Sequence, residues 1–228
     1  DGSGRELLVY CAAGMRVPAE QIAMEYEKEY GIPIRIQYGG SNSLLSQLDV
    51  SKIGDLYLAA DESYLQLARE KRLLAESLPI AHMSPVLIVA ADNPMQIQGI
   101  EDLLRADLRV ALANPDQAAM GKVTRDSLAA IGLWDDLENR VKQRGVFKPT
   151  VNDVANDVIL GSVDAGIVWD AVAAQLSNIE IIPMPDLSEA SVLVSVGILT
   201  STKHPRAALH FARYLASKDR GQTVFATH

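Results

Sequence analysis

Residues 7–31 read LLVYCAAGMRVPAEQIAMEYEKEYG and contain a structural unit that recurs along the chain. The run begins with a short apolar segment, which is typical of a buried β-strand. Pro18 then stands where a proline fits the first turn of a helix, and the amphipathic stretch around it ends at Gly31. The segment therefore predicts a strand, a short turn and a helix, in that order.

The same alternation of strand and helix continues to the end of the chain. Further strand-like segments lie at 34–38, 56–59, 86–90, 110–113, 165–169, 181–183 and 192–199. Further helix-like segments open at Leu44 and lie at 62–71, 123–131, 151–160, 205–216 and 218–226. This alternation indicates parallel sheets wrapped by helices, and its two series predict two α/β lobes.

The composition excludes several classes of protein. The chain has 228 residues, is 48% hydrophobic and carries a formal net charge of −8. Such a chain can bury a substantial core, which argues against a disordered protein. The acidic balance argues against a non-specific nucleic-acid binder, which needs a basic surface. Cys11 is the single cysteine, so an intrachain disulfide is impossible.

The sequence also bears on membranes and export. No apolar run reaches the roughly 20 residues that a membrane-spanning helix requires. The first residues, Asp1–Gly4, lack the basic and apolar regions of a signal peptide. From these residues alone we expect either a cytosolic protein or a mature form from which a signal has been removed.

Several predicted strand ends carry residues suited to binding an anion. Ligands of open α/β sheets bind beyond the carboxyl ends of the strands, near helix N-termini. The candidate loops are 13–16, 39–43, 118–122 and 151–152, together with the end of the strand 166–169. Their small residues and exposed N–H groups favour a small anion. The alternative is that these are ordinary turns, in which Gly, Ser and Asn are frequent.

Motifs for catalysis or metal binding are not apparent. Gly121-Lys122 lacks the following Ser or Thr of a phosphate-binding loop, and neither G-x-G-x-x-G after a strand nor G-x-S-x-G occurs. Cys11 has no histidine in the candidate loops to act as its base. Asp55, Asp61 and Glu62 fit a solvated helix start better than a metal cluster. We therefore expect a binding protein rather than an enzyme, with no cofactor and no metal site.

The chain resembles the periplasmic molybdate-binding proteins of ABC transporters, which belong to the two-lobed solute-binding proteins. The segments that carry the resemblance are Ala12–Met15, Tyr38–Leu44, Gly54–Asp61, Ala113–Pro115, Leu133–Leu137 and Ala165–Trp169. The resemblance implies a tetrahedral oxyanion held by two serine hydroxyls, two backbone N–H groups and a tyrosine hydroxyl.

Transferred by position, the resemblance implies a set of site residues. The second-loop serine is Ser41, and the backbone donors are Met120 and Val151. Two positions depart from the family pattern, with Gly14 in place of a serine and Trp169 in place of the tyrosine. Further candidate donors are Arg16, Asn42, Lys122 and Asn152.

The resemblance also implies the organisation and role of the protein. We expect a two-lobed fold with a mostly parallel sheet in each lobe, lobe I formed by residues 1–83 and 193–228 and lobe II by residues 84–192. The expected role is that of a periplasmic or extracytoplasmic monomer that closes on its anion and delivers it to an ABC permease, without nucleic acid. Alternatives are a binder of carboxylates or other small organic anions, and the effector-sensing domain of a transcription regulator.

Overall fold

The computed structural model describes residues 6–187 and 189–227. The chain divides into two compact units, the first formed by residues 1–82 and 192–228 and the second by residues 83–191. The N-terminal residues considered for a signal peptide, Asp1–Gly4, lie outside the described residues. Among the helices of the described part, none combines the length and apolar character that a membrane crossing requires.

Ten strands and nine α-helices are formed by the described residues. The strands are β1 (Leu7–Ala12), β2 (Ile34–Gly39), β3 (Leu56–Ala59), β4 (Leu74–Met83), β5 (Pro85–Ala90), β6 (Val110–Ala113), β7 (Val146–Lys148), β8 (Ala165–Trp169), β9 (Ile179–Ile182) and β10 (Val192–Leu199). The helices are α1 (Arg16–Tyr30), α2 (Ser41–Ser51), α3 (Glu62–Glu70), α4 (Ala119–Ala130), α5 (Trp134–Arg144), α6 (Val151–Ile159), α7 (Asp170–Ala173), α8 (Pro205–Ala216) and α9 (Gly221–Thr227).

The first unit contains a sheet with the strand order β2-β1-β3-β10-β4. Strand β1 pairs in parallel with both β2 and β3, whereas β10 runs antiparallel to β3. Because β1, β2 and β3 are parallel, their carboxyl ends at Ala12, Gly39 and Ala59 lie at one edge of the sheet. The segments that follow these three strands therefore start from the same edge.

The second unit repeats this arrangement with the order β7-β6-β8-β5-β9. Strand β6 is parallel to β7 and β8, and β5 is antiparallel to β8 and β9. The expectation of a mostly parallel sheet is therefore wrong in this detail: both sheets are mixed. The reason is that β5 and β10 are reached without the crossover helix that would make them parallel to their neighbours.

The core of each unit follows from the apolar runs in the sequence. Every residue of β3, β6 and β8 is buried, as expected for central strands covered on both faces. The edge strand β2 instead alternates, with Arg35 and Gln37 exposed and Ile34, Ile36 and Tyr38 half-buried. Its period-2 pattern is that of a strand with one covered face.

Some elements differ from the sequence predictions. Strand β4 and helix α5 were not predicted: β4 carries charged and proline residues, and α5 buries only Trp134, Leu137 and Val141. The last helix begins at Gly221 instead of residue 218. Helix α2 begins at Ser41, three residues before the predicted start at Leu44, because Gly40 already serves as its N-cap.

Helix α4 approaches the end of β6 at a glycine. A Cβ atom on Gly121 would lie 2.4 Å from the carbonyl oxygen of Ala113 and 2.5 Å from the carbonyl carbon of Asn114. These are backbone atoms, so the contact cannot be relieved by a side-chain rotation. Gly121 thus allows the first turn of α4 to sit directly against the carboxyl end of β6.

We predict that Gly121→Ala destabilises the protein by about 1–3 kcal/mol, since the added methyl group forces the helix away from the strand. The measurement is the free energy of unfolding by urea. The control is Gly99→Ala, because a Cβ at Gly99 meets no atom within 4 Å. Equal stability of the Gly121→Ala protein and the unaltered protein would contradict the close packing of α4 on β6.

Candidate functional site

In the first unit, the segment after β1 is short and buried. Ala13, Gly14 and Met15 form a single 3-10 turn, and all three are buried. Helix α1 then begins at Arg16, with Met15 as its N-cap. The N–H of Arg16 donates to the carbonyl oxygen of Ala13, so the 3-10 turn supplies an acceptor to the start of α1. Gly14 therefore lies in a buried turn that continues directly into α1.

Arg16 is held by groups of its own unit. Its guanidinium carbon lies 4.2 Å from the centre of the Tyr38 ring, and its Nη1 lies 3.7 Å from Oε1 of Glu20. The side chains of Arg16 and Glu20 are each about half exposed. The first contact is a cation–π interaction, and the second is an i,i+4 ion pair on α1.

Ser41 is the first residue of α2 and is only 1% exposed. The N-cap before it is Gly40, which has no side chain to accept the N–H groups of Ser41, Asn42 and Ser43. The first N–H of α2 that bonds within the helix is that of Leu44, to the carbonyl oxygen of Gly40 at 3.0 Å. Helix α2 therefore begins, at the carboxyl edge of the sheet, with N–H groups that its own backbone and N-cap do not bind.

Two hydrogen bonds from β3 and the residue after it hold Ser41. The Tyr57 hydroxyl donates to the carbonyl oxygen of Ser41 at 2.6 Å, and the N–H of Ala60 donates to its Oγ at 3.3 Å. Within the described residues, no oxygen accepts the hydrogen of the Ser41 hydroxyl. The O–H of Ser41 is therefore available to donate a hydrogen bond to a ligand.

Cys11 lies at the end of β1 but is unsuited to nucleophilic chemistry. Its side chain is completely buried, and its thiol contacts the carbonyl oxygen of Ala12 at 3.5 Å. Burial raises the pKa of the Cys11 thiol far above its ordinary value, more than the charge of Arg16 lowers it. The thiolate, which is the reactive form, is therefore suppressed.

The acidic residues near β3 have structural partners. Asp61 is the N-cap of α3 and accepts the N–H of Ser63 at 2.9 Å, while Glu62 pairs with Arg69 at 3.0 Å. Asp55 lies before the opposite end of β3, where it accepts the N–H of Leu8 at 2.8 Å. Across the described part of the chain, no group of three or more His, Cys, Asp or Glu residues is placed to hold a metal ion.

In the second unit, Met120 and Lys122 are the second and fourth residues of helix α4. The N-cap is Ala118, whose methyl side chain cannot accept a hydrogen bond, and Met120 is 1% exposed. The first intrahelical bond of α4 is from the N–H of Lys122 to the carbonyl oxygen of Ala118, at 3.1 Å. Met120 lies before Lys122, so its N–H has no acceptor within the helix. The Lys122 ammonium lies 3.2 Å from Asp126.

Val151 and Asn152 are the first two residues of α6. The N-cap is Thr150, whose Oγ1 accepts the N–H of Asp153 at 3.2 Å and donates to its carboxylate at 2.6 Å. Threonine is a strong N-cap residue in its own right. Val151 is buried, and the Oδ1 atom of Asn152 is buried without a donor among the described residues.

Trp169 ends β8 and is 1% exposed, although it is one of the largest side chains in the protein. It is also the N-cap of α7, where the following Asp170 uses its Oδ1 to accept the N–H groups of Ala171 at 2.8 Å and Ser84 at 3.1 Å. Asp170 thus satisfies one donor of this helix start, the N–H of Ala171, through its own side chain.

Each unit thus gathers its predicted residues at one edge. The first brings Gly14, Arg16, Ser41 and Asn42 to the carboxyl edge of its parallel strands. The second does the same with the following residues: Met120, Lys122, Val151, Asn152 and Trp169.

The sequence predictions did not include Tyr57 and Ala60, which hold Ser41, or Thr150, which caps the helix that begins with Val151 and Asn152. Tyr57 could have been noticed as a hydroxyl in an otherwise apolar buried run, because such a hydroxyl requires a partner. Thr150 could have been noticed from its spacing to Asp153, since Thr followed three residues later by an acid resembles a capping pair. The backbone N–H of Ala60 left no signal in the sequence.

Comparisons with known proteins support a role in solute binding. A Bacillus subtilis protein provisionally named a substrate-binding lipoprotein of an ABC transporter is 29% identical over 224 residues, covering 96% of this chain and 84% of that protein. The molybdate-binding protein ModA of Mycobacterium tuberculosis is 27% identical over 210 residues, covering 91% of this chain and 77% of its own.

The fold matches a solved structure over nearly its full length. The periplasmic molybdate-binding protein of Azotobacter vinelandii aligns with a TM-score of 0.79 and 20% identity, over 96% of both chains. At this identity the alignment establishes a shared fold. The family model described as bacterial extracellular solute-binding protein matches residues 7–228. The chain therefore belongs to the family of bacterial extracellular solute-binding proteins.

Proposed function

We propose that this protein is the substrate-binding component of an ABC importer and that it binds a tetrahedral oxyanion, molybdate or tungstate more tightly than sulfate. The support from relatives is that the Mycobacterium tuberculosis and Azotobacter vinelandii proteins are named for molybdate. The support from this chain is the set of hydrogen-bond donors at the strand ends.

The observation that carries the proposal is the start of α2, where Ser41 is buried. The N–H groups of Ser41 and Ser43 have no acceptor within the helix, and the N-cap Gly40 has no side chain that could accept them. The positive end of the helix dipole lies at the same place. Unsatisfied N–H groups in a buried helix start are strongly unfavourable unless an external acceptor binds them, and an oxyanion is such an acceptor.

The second unit offers donors of the same kind. The N–H of Met120 in α4 has no intrahelical acceptor, and Val151 occupies the first position of α6. The side-chain amide of Asn152 can add to them, because a rotation about its χ2 angle presents the NH₂ group in place of the unpartnered oxygen. In the proposal, each unit supplies part of the donor set, and the anion is fully satisfied only when both parts bind it.

The two departures from the family pattern change the donors without removing the site. Gly14 offers a backbone N–H where a serine would also offer a hydroxyl. Trp169 offers an indole N–H in place of a tyrosine hydroxyl, and an indole donates but does not accept. A site lined by donors favours an anion that carries no proton, because a protonated oxygen would point its hydrogen at another hydrogen.

The alternative of a carboxylate ligand would be favoured by a cation that is free to pair with it. Arg16 was the candidate for this role, but its guanidinium already contacts Tyr38 and Glu20. We therefore propose neutral donors as the main recognition groups and place Arg16 outside them. The proposal further includes a monomeric protein outside the cytoplasm, binding without catalysis, whose anion-bound form is recognised by a membrane permease.

We predict that titration calorimetry detects binding of molybdate and tungstate, with weaker binding of sulfate and the weakest binding of phosphate. The reason is that phosphate near neutral pH carries a proton on one oxygen, whereas the other three anions are fully deprotonated. Absence of heat with all four anions, confirmed by an unchanged melting temperature at millimolar anion, would contradict the proposed function.

A second prediction concerns Ser41→Ala. Removing a hydroxyl that donates to a charged ligand costs roughly 1.5–3 kcal/mol, which corresponds to about a 10–150-fold weaker affinity for molybdate. The matched control is Ser46→Ala on the same helix, because Ser46 is exposed. If both variants bind molybdate as tightly as the unaltered protein, the Ser41 hydroxyl is not part of the site.

A further inference from the structure

The hydroxyl of Tyr57 is a polar group inside an apolar strand. Tyr57 is 0% exposed, and the other residues of β3 are Leu56, Leu58 and Ala59. A phenyl ring would fill the same volume, so packing alone gives no reason for the hydroxyl. The hydroxyl has one acceptor, the carbonyl oxygen of Ser41 at 2.6 Å.

This acceptor lies in the first turn of α2, which carries the N–H groups and the hydroxyl of the proposed anion site. Ser41 is the first helical residue, and the peptide unit that contains its carbonyl also contains the N–H of Asn42. Gly40 gives the helix start no side-chain cap that would fix it. The hydrogen bond from Tyr57 therefore replaces a cap as the constraint on this first turn.

A second contact acts on the side chain of the same residue. The N–H of Ala60 donates to the Ser41 Oγ at 3.3 Å and so occupies one of its lone pairs. The hydroxyl hydrogen has no acceptor within the described residues. Tyr57 thus fixes the backbone of Ser41, and Ala60, three residues after Tyr57, fixes the Oγ of Ser41.

The Tyr57 contact does not depend on pH in the physiological range. Burial raises the pKa of the Tyr57 hydroxyl well above its ordinary value, and the nearby Tyr64 and Asp61 raise it further. The hydroxyl therefore remains protonated and continues to donate to the Ser41 carbonyl.

We propose that Tyr57 is a positioning residue of the anion site, which holds the first turn of α2 so that the Ser41 hydroxyl is aimed at the ligand. This inference rests on the proposed function. Tyr57 itself does not touch the anion in this proposal. Its effect on affinity arises because a donor that is already oriented loses less conformational freedom when the anion binds.

The test is Tyr57→Phe, with Tyr26→Phe as the matched control. Tyr26 is also fully buried in the first unit, and its hydroxyl hydrogen-bonds to Nδ1 of His210 at 2.7 Å. Each variant loses one hydroxyl contact and is expected to melt at a lower temperature than the unaltered protein. Only Tyr57→Phe is expected to weaken molybdate binding, by roughly 2–10-fold in calorimetry, the effect of losing one ordinary hydrogen bond.

The outcomes separate this inference from the proposed function. If the unaltered protein binds none of the oxyanions, both are overturned. If it binds molybdate and the affinities of Tyr57→Phe and Tyr26→Phe are the same as its own, the positioning role of Tyr57 is overturned and the proposed function stands. Circular dichroism at the temperature of the titration confirms that each variant is folded.

A double-variant cycle provides a second measurement that a purely structural role of Tyr57 would not affect. In a Ser41→Ala background the hydroxyl that Tyr57 helps to aim is gone, so Tyr57→Phe is expected to reduce affinity by a smaller factor than in the unaltered protein. An equal factor in both backgrounds would show that Tyr57 does not act through the Ser41 side chain and would overturn the inference.

Discussion

Backbone N–H groups at the start of a helix need acceptors that the helix cannot supply, and this requirement divides the helix starts of the protein into two kinds. Those of α3 and α6 are capped by the side chains of Asp61 and Thr150. Those of α2 and α4 follow Gly40 and Ala118, which have no polar side chain. The donors left over in the second group, at the carboxyl ends of parallel strands, are the physical basis of the proposed site.

A protein with a net charge of −8 can bind an anion through such donors because the local field, not the total charge, determines the affinity. The two cations among the candidate residues are engaged within their own units: Arg16 contacts Glu20, and Lys122 contacts Asp126. Recognition by neutral N–H and O–H groups also gives selectivity, since these groups have fixed directions and reject an oxygen that carries a proton.

Much of the fold could be predicted from the sequence because apolar runs such as 56–59 and 165–169 form fully buried strands. Strands β5 and β10 were predicted as strands but their antiparallel direction was not, since the direction of a buried strand leaves no trace in its own residues. At the site, Ser41 was predicted through the family resemblance, as the serine of the loop at residues 39–43. Its partner Ala60 contributes only a backbone N–H, which any residue except proline would provide.

The position of β10 affects the order in which the two units can be completed. The second unit is continuous, from residue 83 to 191, whereas the first sheet needs β10 between β3 and β4. As the chain emerges from the ribosome, the second unit can therefore finish folding while β3 still has an unpaired edge. Unpaired strand edges attract other chains, so the nascent first unit depends on prompt synthesis of its last segment or on a chaperone that covers the gap.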